Sequence, residues 1–217
     1  MDLYYICPTI SIGYIVYKFN RMKIRHILIL VLIFTSQPGK TQDQYALDNT
    51  KSSIKITGTS NVHDWEMQAS GISANMTLDQ DVQNLNKIIA LYISLPAQNI
   101  KSHNSIMDKK TWEAIKTDTY KTIEFKLGSI INLNKSGPKI SGIAKGTLTI
   151  AGKSNNYAIP FSGNTLDNDQ IIFSGSKEIR LPDFNISPPT AMMGTLKTGE
   201  TINIIFNLQF NATPSNS

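Results

Sequence analysis

From Tyr45 onward, apolar and polar residues alternate with a period of two, and short clusters of turn-forming residues interrupt the alternation. A strand sends successive side chains to opposite faces, so such a pattern describes a sheet with one apolar face. Ile54 and Ile56 alternate with Ser53, Lys55 and Thr57, and Trp65, Met67 and Ala69 with Glu66, Gln68 and Ser70. After Gly71 the phase switches and Ile72, Ala74, Met76 and Leu78 carry the apolar face, which predicts a bend or bulge at the glycine. Ile89, Leu91, Ile93 and Leu95 share a face, as do Ile123, Phe125 and Leu127. Leu148 and Ile150 follow, then Tyr157, Ile159 and Phe161, then Ile171 and Phe173, and a last strand carries Ile202, Ile204, Phe206, Leu208 and Phe210. Turn clusters at 134–138 and 164–169 separate some of these runs, and about eight strands are predicted.

One stretch reads as helix. Ser105-Ile106-Met107-Asp108 resembles an N-cap followed by an acidic first turn, and Lys109 to Lys116 contains neither Gly nor Pro. Trp112 and Ile115, three positions apart, would dock this helix on the sheet. Pro182 to Gly199, with Pro188-Pro189 and Met192-Met193, reads as a long loop before the last strand, of the kind that serves as a lid or crossover.

An all-β chain must protect its sheet edges, and closing the sheet into a barrel removes them. A barrel of about eight strands is either filled by its own side chains or holds one slender ligand. Gly142, Ala144 and Gly146 fall on one strand face and contribute little volume, so the interior has room unless large side chains opposite fill it.

Charge narrows the choice of partner. The formal net charge is +5, but five basic residues (Lys18, Arg21, Lys23, Arg25 and Lys40) and only Asp2 among the acidic ones precede Asp43. The remaining domain is nearly neutral, which argues against binding to nucleic acid through phosphate contacts. Cys7, the one cysteine, also lies in that first part, so the domain contains no thiol chemistry.

Met22-Lys23-Ile24-Arg25-His26, the apolar run Ile27 to Phe34 and the small polar exit Thr35 to Gly39 form the pattern of a secretory signal peptide. The run is far shorter than the roughly 20 residues that span a bilayer. The expected organisation is therefore 1–21 as a mis-assigned start or leader extension, 22–42 as signal peptide and 43–217 as the folded domain. The protein is expected to be exported, periplasmic or secreted, without stable membrane insertion once the leader is removed.

The order of signatures resembles the YceI-like family. Tyr45-Ala46-Leu47-Asp48 with Ser52 to Ile56 is similar to that family's first strand, and Asn61-Val62-His63-Asp64-Trp65 to a variant in its secreted bacterial members. Ser102 to Lys116 followed by Tyr120 to Phe125, then Gly146 to Lys153, Arg180 to Phe184 and Ile202 to Phe210, resemble its later segments. Lys121 stands where the family often has Pro, and Asn185 where it often has Gly; Asn tolerates the left-handed backbone best after Gly. The resemblance implies an eight-stranded antiparallel lipocalin-like barrel, exported and binding a polyisoprenoid or other lipid.

On this reading the chain is a non-enzymatic binder whose partner is an apolar lipid, with no cofactor beyond a bound isoprenoid or fatty-acid-like molecule. Trp65, Met67, Leu91, Ile93, Trp112 and Phe125 are candidate pocket-lining residues, together with Leu148, Phe161, Phe173, Met192, Met193 and Phe206. Arg180 is a candidate for a polar group at the mouth. Two other readings stay open: a hydrolytic or other enzyme using His63, Asp64 and His103, which requires the three to converge in one cleft, and a filled barrel acting through its outer surface. Gly146 to Ser154 superficially resembles a phosphate-binding loop, but its glycines have the wrong spacing, it alternates as a strand, and no helix follows.

Overall fold

In the computed structural model, residues 42–79, 85, 87–166, 169–191 and 194–213 are described. The leader and Met192-Met193 lie outside the described residues. The chain forms strands β1 (Asp43–Leu47), β2 (Ser53–Ser60), β3 (Trp65–Ala69), β4 (Ser73–Leu78), β5 (Ile88–Pro96) and β6 (Ile100–Lys101), then helix α1 (Ser105–Ala114). There follow β7 (Thr122–Ser136), β8 (Lys139–Ile150), β9 (Lys153–Leu166), β10 (Gln170–Arg180), β11 (Thr190–Ala191) and β12 (Leu196–Ala212).

The sheet closes on itself. The hydrogen-bonded order runs β1-β4-β5-β7-β8-β9-β10-β12, and β12 pairs back onto β1 through Leu47–Phe210, giving an eight-membered antiparallel ring. The remaining strands repeat that order rather than extend it. β2 continues β1 along β12, β3 precedes β4 along β2, and β6 continues β5 along β3. Each of the first three staves is thus one long strand broken once. Gly71, with φ +68°, makes the break between β3 and β4 where the apolar phase switches.

Two sequence expectations change here. Leu78 pairs with Ile88 while Thr77 pairs with Ala90, so Ile89 is the extra residue of a bulge; Ile88 takes the inner position and Ile89 is turned out at 38% exposure. The segment after Pro182 is also more ordered than a loop. A short 3-10 turn, Leu181–Phe184, ends on Asn185 in the left-handed conformation (φ 57°), with Ile186 N–H donating to Leu181 O. β11 then pairs with the start of β12, so the last strand begins at Leu196, six residues before Ile202.

Four connections gather at one end of the barrel: the β2–β3 turn, the β6–α1–β7 segment, the β8–β9 hairpin and the β10–β12 segment. The other end is packed shut. Tyr45, Met76, Leu78, Ile140, Ile171 and Phe210 are all at most 2% exposed there, each fully buried side chain of this size contributing about 1.5–3 kcal/mol. Among the described residues no helix is long and apolar enough to cross a membrane.

Candidate functional site

Above the packed end the inner face changes character. Phe206, Ile204, Ile202, Ile159, Phe161 and Leu91 point inward by strand phase yet retain solvent accessibility. They do so because they face a cavity of ≈ 590 Å³ whose lining is almost wholly apolar. This lies within the size range of small-molecule sites. The lining reaches from Phe210, Leu208 and Ile88 at the closed end to Ser60, His63, Asn104, Ile106, Pro189 and Thr198 at the other. The opening is therefore at the end where the connections gather. Val62 (66% exposed) and Ile106 (69%) stand on the β2–β3 turn and on α1 at that end.

The width of the bore follows from pairs of glycine and aromatic residues on neighbouring strands. Trp65 lies over its cross-strand partner Gly58, Phe161 over Gly142, Phe173 over Gly163 and Phe206 over Gly175. Phe125 covers Gly146 from a diagonal position. A missing Cβ lets each ring lie against the wall instead of projecting to the axis. The small face Gly142, Ala144, Gly146 does point inward, and the two large rings over it fill its recess while leaving the axis open.

Nine of the residues singled out from sequence border this cavity: Trp65, Met67, Leu91, Ile93, Phe125, Leu148, Phe161, Phe173 and Phe206. Trp112 does not. Its Nε1–H donates to Ile100 O at 3.1 Å, which ties α1 to β6 and holds the ring away from the cavity. Arg180 ends β10 at the open end but does not border the cavity; it is exposed and bonded to Glu200 Oε2 at 2.8 Å, a pairing that raises its pKa. Lys177 was missed. It shares the inward phase of Ile171, Phe173 and Ile179 on β10 and borders the cavity, so alternation alone would have found it.

The helix over the mouth is set by local hydrogen bonds. Its cap is Asn104, one residue earlier than Ser105, with Oδ1 accepting from Ile106 N (2.9 Å) and Met107 N (3.1 Å). Asp108 is buried and accepts from Ser102 N (2.6 Å) and Ser102 Oγ (2.7 Å), drawing the preceding loop onto the first turn.

The His63 corner is structural in its bonding. His63 Nδ1 contacts the main-chain O of Asp64 at 2.8 Å, not its carboxylate, and Ser60 Oγ donates to His63 O at 2.7 Å. Trp65 Nε1–H donates to Thr59 O at 3.0 Å across the same turn. His63 borders the mouth, whereas Asp64 and His103 do not line the cavity, so the three are not brought together in it. Among the described residues no group of His, Cys, Asp and Glu is placed to hold a metal ion. Gly146 to Ser154 is a strand and a tight hairpin turn, with Ala151 (φ 49°) and Gly152 (φ 74°) both left-handed.

A closed eight-stranded antiparallel barrel with an apolar, one-ended lumen is a lipocalin-like architecture. The YceI-like domain model matches residues 45–210, and the chain belongs to the YceI-like family. No curated relative is found by sequence. Among solved structures it is similar to BcnA of Burkholderia cenocepacia (17% identity, TM-score 0.61, covering 75% of this chain and 98% of that one). It is also similar to a polyisoprenoid binding domain from Saccharophagus degradans implicated in plant cell wall breakdown (12% identity, TM-score 0.61, 78% and 98%). A YceI protein of Campylobacter jejuni matches at 18% identity and TM-score 0.52, over 69% and 85% of the two chains. At these identities the likeness is one of fold.

Proposed function

We propose that this protein is an exported, non-enzymatic carrier that holds a long, slender, polyisoprenoid-like molecule in the barrel lumen. The observation that carries the reading is the continuous apolar cavity, closed at the Phe210 end and open beside α1. Each methylene withdrawn from water there contributes about 0.8 kcal/mol, so a chain of isoprenoid length supplies more than enough gross affinity to offset immobilisation. The polyisoprenoid binding domain among the structural neighbours supports the ligand class, and the basic and apolar run Met22 to Phe34 supports export.

Native mass spectrometry of the purified protein, with analysis of its solvent extract, tests this. Near-stoichiometric prenyl lipid is the expected result; repeated recovery of an empty protein that also fails to take up added polyprenol overturns it. Intact mass of the protein recovered outside the cytoplasm tests export, with cleavage expected between Ser36 and Gln44.

A further inference from the structure

We propose that Lys177 is a head-group site inside the lumen, and that the preferred ligand is an amphiphile with a single carboxylate at one end of its apolar tail. The inference rests on the apolar-ligand reading above and adds the chemistry of the head.

Two lysines border the cavity. Lys110 is already neutralised by Glu113, its Nζ 3.1 Å from Oε2. Lys177 has no carboxylate within ion-pair distance among the described residues; its Nζ lies 5.7 Å from the centroid of the Tyr157 ring. Glu124 also borders the cavity, but it occupies the outward phase between Ile123 and Phe125 and accepts from Thr122 Oγ1 at 3.0 Å. Lys177 is a half-buried residue bordering an apolar chamber, with a ring face near its Nζ and no carboxylate paired to it among the described residues, so an anion delivered by a ligand would complete it.

The position suits a head group. β9 and β10 pair only up to Phe161–Gly175; beyond that point β10 stays with β12 as far as Arg180 but leaves β9. Lys177 stands just past this divergence, in the upper half of the lumen. Four residues below it on the same face is Phe173, about 13 Å along the strand, and the wall between is apolar. A ligand with its tail toward Phe173 and Phe210 would bring its head to Nζ. The charge requirement is also bounded. Asp183 approaches Tyr157, its Oδ2 3.5 Å from the phenol oxygen, so a carboxylate already stands at the tip of the ring that Lys177 overlies. A single lysine with that carboxylate in the neighbourhood suits a monoanion better than a phosphate or diphosphate dianion.

The test compares farnesoic acid with methyl farnesoate, which share a tail and differ in head charge, by displacement of a fluorescent apolar probe from the wild-type protein and from Lys177→Met. The expected result is about tenfold tighter binding of the acid by wild type, falling to within about twofold in Lys177→Met, with ester binding kept. Lys177→Arg should retain the preference, and Lys177→Gln should lose it, which separates charge from packing. Equal affinities in wild type, or an unchanged preference in Lys177→Met, overturn the head-group site and leave the apolar reading standing. Binding of neither compound overturns the head-group site, and failure to take up added polyprenol as well overturns the apolar reading.

Discussion

Phe206 of β12 and Gly175 of β10 are direct cross-strand partners, and the ring sits where a side chain at Gly175 would have to be: a Cβ there would fall 2.5 Å from Phe206 Cζ. The same Cβ would lie 2.6 Å from the main-chain O of Pro160. Gly146 and Gly163 are the same, so at three of the five seats ring and backbone share one recess.

The glycines therefore divide by what their Cβ would strike. Gly175→Ala meets a carbonyl that cannot move without distorting β9 and should cost about 1–3 kcal/mol of stability in urea unfolding. Gly142→Ala meets only the ends of Phe161 (2.9 Å) and Ile130 (3.3 Å), so the ring should swing into the lumen. That variant should unfold within about 1 kcal/mol of wild type while losing affinity for a bulky apolar probe. Loss of stability without loss of binding in Gly142→Ala would refute the wall-packing account.

Phe210 and Phe206 are the same residue type on the same face of β12, four positions apart, and truncation should separate them. Phe210 is 0% exposed at the closed end, so Phe210→Ala removes a fully packed ring from the floor of the cavity and should cost about 3–5 kcal/mol. Phe206 already faces open space, so Phe206→Ala removes fewer contacts and should cost markedly less. Denaturant midpoints of the two variants give the comparison directly.

Asn104 closes the first turn of α1 at the mouth. Asn104→Ala should cost about 1 kcal/mol, with faster hydrogen exchange at the Ile106 and Met107 amides that lose their acceptor. The remote closed end should keep its protection, since none of its contacts is touched.

Burial, followed by the neighbouring Asp183 charge and hydrogen bond, raises the Tyr157 phenol above its ordinary 10.0. The folded protein thus resists ionising this tyrosine more than the unfolded chain does. Its contribution to stability is complete below pH 10.0 and is lost as pH climbs through the raised value. Tyr157→Phe should remove that part of the alkaline loss in pH-dependent unfolding, and ultraviolet phenolate titration should lose one tyrosine that ionises above the ordinary 10.0. An alkaline limb identical in both proteins would count against this origin.

Alternation made the inward faces readable before any coordinates: Ile54, Met67, Leu148 and Phe173 lie inside because a period of two leaves no other choice once one face is apolar. Lys177 obeys the same rule, but a lysine does not advertise an inner position. Trp112 is the opposite case, since a large aromatic beside a sheet looks like lining until its N–H finds Ile100 O and turns it away. The bulge at Ile89 had no local marker, being set by the pairing of Leu78 with Ile88 across the ladder.

What the chain determined alone was the type of its elements, the residues that share a face, the bend at Gly71 and the neutrality of the domain, because these follow from side-chain period, glycine conformation and charge count. What tertiary structure decided was whether the barrel is full. That depends on β12 pairing back onto β1, and on Phe125, Phe161, Phe173 and Phe206 each meeting a glycine of the neighbouring strand. Register between strands places a ring over a bare backbone, and no periodicity within one strand carries that information.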